Sequence, residues 1–200
     1  QVTLGGKNLY ENVEIDYKMS ELQPHDFLRI LSGQSSPQLP KVIESTQYDN
    51  VFIFWSGHGM PKYLCWNQTA DALSGDDLRN TFSEMHQQKR YRKLLMMVET
   101  CFSGGVVEAC EGIPGLLFFT AANGDETSKA DIFNEELNVW MSNRFTSTCI
   151  EQLSAQPDIS LRDLYYRLFI NTVGSHVMVY NAPFYGNMYQ QNMGEFIQFR

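Results

Sequence analysis

Three apolar runs, each halting at a polar loop, constrain this chain more than any other feature of its sequence. Val51-Phe52-Ile53-Phe54-Trp55 stops at Ser56-Gly57-His58-Gly59. Lys93-Leu94-Leu95-Met96-Met97-Val98 stops at Glu99-Thr100-Cys101, and Gly115-Leu116-Leu117-Phe118-Phe119-Thr120 at Ala121-Ala122-Asn123-Gly124. Runs this short, apolar at successive rather than alternate positions, read as strands buried on both faces. Parallel strands need a crossover element between them, and the intervening segments supply helices. Gln23–Leu31 sets Phe27, Leu28 and Leu31 at helical spacing, with Pro24 in the first turn and Gly33 placed to end it. From Ser74-Gly75-Asp76-Asp77 to about Lys89 the acids come early and the bases late, as a helix dipole favours. Further helices are expected over about Asn134–Leu153 and Ser160–Thr172, a strand over Ser175–Tyr180, and a surface loop over Ser32–Pro40. The expectation is an α/β fold with a mainly parallel central sheet and helices on both faces.

Composition bounds the rest. A chain of 200 residues, 43% hydrophobic and 19% charged, buries a core of single-domain size, so residues 1–200 are read as one domain. A net charge of −8 with no basic run excludes the electrostatic footprint of a nucleic-acid partner. No apolar run approaches the roughly 20 residues of a membrane span. Cys65, Cys101, Cys110 and Cys149 form no C-x-x-C pair and suit neither a zinc ribbon nor a disulfide framework, so no metal is expected. Asn67-Gln68-Thr69 is a formal glycosylation sequon, a triplet common by chance.

In parallel sheets the ligand crevice lies beyond the carboxyl ends of the strands. His58 follows the first run and Cys101 the second, so both fall on that edge. A cysteine nucleophile works as thiolate and needs a base nearby and an exposed position. Gly104 and Gly105 let a substrate backbone approach, and backbone amides at Cys101 and Gly59 are candidates to face a developing oxyanion. Singly, a cysteine at a strand end is more often core and a histidine between glycines a turn residue. Their joint placement gives the catalytic reading its weight. Asp76-Asp77 and Glu135-Glu136 are read as dipole-stabilised acids near helix starts, His25 and His86 as solvated helix residues, and His176 as a satisfied framework group opening a strand. The aromatic residues serve a core, because no basic residues interleave with them as in a stacking platform.

The order and spacing of these segments resemble the legumain-type cysteine endopeptidases, relatives of caspases and of the catalytic subunit of the GPI-anchor transamidase. The resemblance runs from Asn12–Tyr17 and His25–Gly33, through Val51–Gly59 and Arg90–Gly104, to Thr120–Asn123, Glu126–Ser128 and Ser175–Tyr180. It implies a caspase-like fold and a His58/Cys101 dyad that cleaves peptide or protein substrates after Asn, and less well after Asp, without a cofactor. Glu99 and Ser128 match positions that bind the substrate side chain in that family. A secreted, periplasmic or lysosome-like compartment is what the resemblance favours; the residues themselves leave it open.

Three departures stand out. Gly57 precedes the histidine, where legumain has Asp and the transamidase pattern has Gly. The family's opening strand–helix–strand unit, which supplies a basic half of the substrate pocket, finds no match ahead of Gln1. An acidic pocket residue expected near Trp140 is replaced by Asn138 and Val139. The expected function is a cysteine endopeptidase acting through an acyl-enzyme. A transpeptidase or transamidase using the same intermediate is the alternative within enzymes, and a peptide-binding homologue without turnover the alternative outside them.

Overall fold

The computed structural model describes residues 3–4, 7–8, 13–66 and 71–197; the Asn67-Gln68-Thr69 sequon lies outside them. In chain order, β1 (Thr3–Leu4) and β2 (Lys7–Asn8) pair antiparallel, and α1 (Pro24–Leu31) leads to β3 (Asn50–Ser56). The short strands β4 (Gly59–Met60), β5 (Tyr63–Cys65) and β6 (Ala72–Ser74) form an antiparallel sheet of their own. Then come α2 (Gly75–Gln87), β7 (Lys93–Glu99), α3 (Ser103–Val107) and β8 (Leu116–Thr120). A hairpin of β9 (Ala130–Asn134) and β10 (Val139–Asn143) precedes α4 (Arg144–Ala155) and α5 (Leu161–Asn171), followed by β11 (Met178–Tyr180) and α6 (Ala182–Tyr185).

The central sheet has the order β11-β8-β7-β3. β3 pairs parallel with β7, ending on Ser56 opposite Glu99, and β7 pairs parallel with β8, ending on Val98 opposite Thr120. β11 adds antiparallel to β8. The three apolar runs are therefore adjacent parallel strands whose carboxyl ends meet along one edge.

Alternation along these strands divides the core in two, because successive side chains point to opposite faces. Ile53, Trp55, Leu94, Met96, Val98 and Phe118 pack with Leu31 of α1, Leu78, Phe82 and Met85 of α2, and Val106 of α3. Leu95, Met97, Leu117 and Phe119 pack on the other face with Phe145 and Cys149 of α4 and Leu161, Leu164 and Leu168 of α5. β7 and β8 are buried on both faces, which is why their sequences lack alternation. β3 departs from the sequence expectation. As the end strand of the order it buries Val51, Ile53 and Trp55 on one face, while Phe52 is half-buried and Phe54 is 38% exposed on the other.

A second correction concerns 134–153, read from sequence as one helix. Its first part is the β9–β10 hairpin. Asn134 Oδ1 accepts from the Leu137 amide at 2.8 Å, and Asn138 takes a left-handed φ of 52°, which Asn tolerates better than most residues. The flanking Phe133 and Trp140 rings pair at 5.1 Å across the strands. The helix begins only at Arg144, with extended Asn143 at its N-cap. Glu135 and Glu136 thus sit at the hairpin tip and not at a helix start.

The loop expected over Ser32–Pro40 is irregular but anchored, since Leu39 is buried and pairs with Ser36. Among the described residues no helix is long and apolar enough to cross a membrane.

Candidate functional site

Two strand ends build the site. β7 runs into Glu99-Thr100-Cys101 and then turns sharply at Phe102, whose φ of 56° and ψ of 23° place it in the left-handed region before α3 begins. This strand–turn–helix junction sets Cys101 at the apex, half-exposed, with its thiol free of any disulfide. Close packing behind the turn explains Gly104. A Cβ there would come within 2.2 Å of Tyr180 Oη and 3.0 Å of the Asn123 carbonyl carbon.

The neighbouring strand β3 ends in the same place. Gly57 N donates to the Glu99 carbonyl at 3.1 Å, extending the ladder by one residue, after which His58 turns out to solvent. Gly59 then passes directly over the turn at Cys101. A Cβ at Gly59 would stand 2.2 Å from the Cys101 carbonyl oxygen and 2.7 Å from Thr100 Oγ1, so only glycine fits. Gly57 is under no such demand, its nearest neighbour being Trp55 Nε1 at 4.0 Å. The two glycines around His58 therefore differ: one is a close-approach residue and the other is not.

The amide of Gly59 is left free of the β4–β5 ladder. Cys65 N donates to the His58 carbonyl at 3.0 Å, and Gly59 stands opposite Leu64. Since directly opposed pairs in an antiparallel ladder alternate between bonded and non-bonded, the Gly59–Leu64 pair is a non-bonded one.

Glu99 lies beneath Cys101 with no exposed surface. Its Oε2 accepts from the Thr146 amide at 3.1 Å and Thr146 Oγ1 at 3.4 Å, both from the first turn of α4. Its Oε1 has no partner at hydrogen-bond distance, although the Ser128 hydroxyl lies near enough to act on the carboxyl. Burial pushes the Glu99 carboxyl up to about 7, against the opposing pull of the Ser128 hydroxyl and of Thr146. Ser128 Oγ lies 4.0 Å from Cys101 Sγ. Glu99 thus keeps one buried oxygen without a short partner, close to the thiol of Cys101 and the hydroxyl of Ser128.

The sequence candidates thus gather at one edge of the sheet: His58, Gly59, Glu99, Cys101 and Ser128. The remaining acids and histidines resolve separately. Asp77 caps α2, its Oδ2 accepting from Ser74 N at 2.9 Å and Ser74 Oγ at 2.7 Å. His25 and His86 are exposed on helices. His176 is a correction: it lies in the loop ahead of β11, exposed, with Nδ1 at 2.9 Å from Glu126 Oε2. Thr146 escaped sequence reasoning altogether, because nothing in its neighbourhood signals that α4 starts over the end of β7. A cavity of about 320 Å³ is lined by Lys62, Asp76, Gly105 and Glu108. Among the described residues no group of three His, Cys, Asp or Glu side chains could hold a metal ion.

The profile of the peptidase C13 family matches residues 2–197. The GPI-anchor transamidase of Saccharomyces cerevisiae is 28% identical over 174 residues, covering 84% of this chain and 42% of that protein. Mouse legumain is 29% identical over 182 residues, covering 88% of this chain and 41% of legumain. The human GPI-anchor transamidase is 26% identical over 164 residues, covering 79% of this chain and 41% of the relative. The chain spans about two-fifths of the length of the curated relatives it matches.

Proposed function

The chain belongs to the peptidase C13 family, and from that premise we propose that it is a cysteine endopeptidase cleaving peptide bonds after Asn, and less well after Asp, with Cys101 as nucleophile and His58 as acid and base. The observation that carries this reading is the seating of Gly59 against the Cys101 carbonyl, which fixes the histidine loop over the nucleophile turn at the carboxyl edge of the sheet. His58 takes the proton of the Cys101 thiol, the thiolate adds to the scissile carbonyl carbon, and the amides of Gly59 and Cys101 receive the oxyanion. Collapse breaks the C–N bond as His58 gives its proton to the leaving amine. Water, losing a proton to His58, then hydrolyses the thioester and restores the thiol.

The choice of Asn follows from Glu99 and Ser128. An Asn side chain offers a donor and an acceptor. Glu99 Oε1 is an unpartnered buried acceptor, and the Ser128 hydroxyl can give or take a hydrogen bond. An apolar side chain would leave both unpaired.

A second reading is favoured by Gly57 ahead of His58 and by the likeness to the yeast transamidase: the same acyl-enzyme passes to an amine instead of water. One experiment separates the possibilities. A peptide with a single internal Asn is incubated with the wild type and with Cys101→Ala, with and without an added amine, and the products are weighed by mass spectrometry. Cleavage after Asn, lost in Cys101→Ala, supports the endopeptidase. An amide product dominating over acid supports the transfer reading. No turnover and no labelling of Cys101 by a peptide electrophile would leave a peptide-binding homologue.

A further inference from the structure

We infer that Glu126, with His176 as its partner, is a positioning residue that sets the nucleophile turn for reaction. The inference rests on Cys101 being the nucleophile. Phe102, next in the chain, holds a left-handed conformation that residues with side chains adopt only where their surroundings impose it. Part of what imposes it is one hydrogen bond: the Phe102 amide donates to the Glu126 carbonyl at 2.8 Å. That carbonyl is itself placed by the Glu126 side chain. Oε1 accepts from the amides of Asn123 at 3.1 Å and His176 at 2.7 Å, and Oε2 lies 2.9 Å from His176 Nδ1. One carboxylate therefore closes the 123–126 loop on itself and ties it to the segment that precedes β11.

Burial alone would raise the pKa of Glu126 above the ordinary carboxylate value. The hydrogen bonds from His176 and Asn123 hold it below that value. The carboxylate is thus the form that its three donors expect. Two residues further on, Ser128 Oγ stands 4.0 Å from Cys101 Sγ, so the same loop carries a neighbour of the thiol. Sγ, the Phe102 amide and Ser128 are consequently referred to a single anchored loop. The anchor lies outside the reacting atoms and acts through the Phe102 peptide.

A brace that only adds stability would lower the melting temperature and leave turnover per folded molecule alone. A positioning residue changes turnover. The test compares Glu126→Ala, Glu126→Gln and His176→Ala in the full chain, reading kcat and KM on the Asn peptide, melting temperature, and the rate of Cys101 alkylation by iodoacetamide. Leu153→Ala, a core truncation on α4, serves as the control for destabilisation alone, and Cys101→Ala as the control for the nucleophile. For Glu126→Ala we expect kcat to fall about 100-fold, the cost of an ångström-scale misplacement. KM should change far less, and the alkylation rate should fall with kcat. Glu126→Gln keeps an oxygen acceptor for both amides and should regain most of the loss. His176→Ala leaves its own amide donor in place and should lose about tenfold. Wild-type kcat in Glu126→Ala, or a Glu126→Gln variant as impaired as Glu126→Ala, overturns the inference. Should Glu126→Ala fail to fold, an unchanged kcat in His176→Ala overturns it instead. Cleavage surviving in Cys101→Ala would place the failure in the nucleophile assignment and not in the anchor.

Discussion

Glu99→Gln should change how the stability of this protein depends on pH. In the folded chain the Glu99 carboxyl has no exposed surface and burial raises it from 4.5 to about 7. Between those values the folded protein keeps a proton that the unfolded chain releases. The stabilisation tied to that proton is fully present below pH 4.5 and is lost as pH rises through about 7. At about 1.4 kcal/mol per unit, a gap of roughly 2.5 units corresponds to about 3 kcal/mol. Gln is nearly isosteric, does not titrate and retains an oxygen for the Thr146 amide. Urea unfolding followed by tryptophan fluorescence, at several pH values from about 4.5 to 8, gives the free energy of each protein. The other acids titrate equally in both, so the difference between the two curves isolates Glu99. It should shift by about 3 kcal/mol in favour of Glu99→Gln across that range. Parallel curves would refute the claim that burial controls this carboxyl, and with it the account of the pocket.

The same titration predicts a substrate effect. Ionised Glu99 repels a second carboxylate, so the ratio of Asp to Asn cleavage should rise as pH falls below about 7, and a ratio independent of pH would count against contact between Glu99 and the substrate side chain. A peptide library should show Asn first and apolar residues poor; a preference for Arg or Lys would instead make Glu99 a counter-charge. Gly59→Ala should reduce kcat by about 100-fold, because its Cβ meets the Cys101 carbonyl at 2.2 Å, whereas Gly57→Ala, with open space around it, should stay close to wild type. Equal effects from the two would remove the steric argument for the histidine loop. Leu164→Ala, which empties a buried position between α5 and the sheet, should cost about 2–5 kcal/mol by denaturant unfolding while leaving KM unchanged.

What the sequence determined by itself is the frame. A strand buried on both faces has to be apolar at every position, so β7 and β8 announce themselves, and the polar residues that end them mark the edge where Cys101 and His58 stand. The helices α1, α2 and α5 were equally legible, since their starts carry local signals: Pro24, the Ser74–Asp77 box, and Ser160 accepting from Asp163. Local signals failed where two periodicities were compatible. Asn134–Asn143 could be a helical turn or a hairpin, and the cross-strand meeting of Phe133 and Trp140 decided it.

The surroundings of Glu99 and Ser128 were the least legible part, although both residues were visible through resemblance. The state of Glu99 depends on Thr146, 47 residues away, and the placement of the Phe102 turn on Glu126 and on His176, 50 residues beyond it. Even the need for glycine at 59 and not at 57 comes from the Cys101 carbonyl on the neighbouring strand. Burial is a demand each segment states in its own composition. Which distant group meets a given side chain is set by how finished elements pack, and only the tertiary structure holds that information.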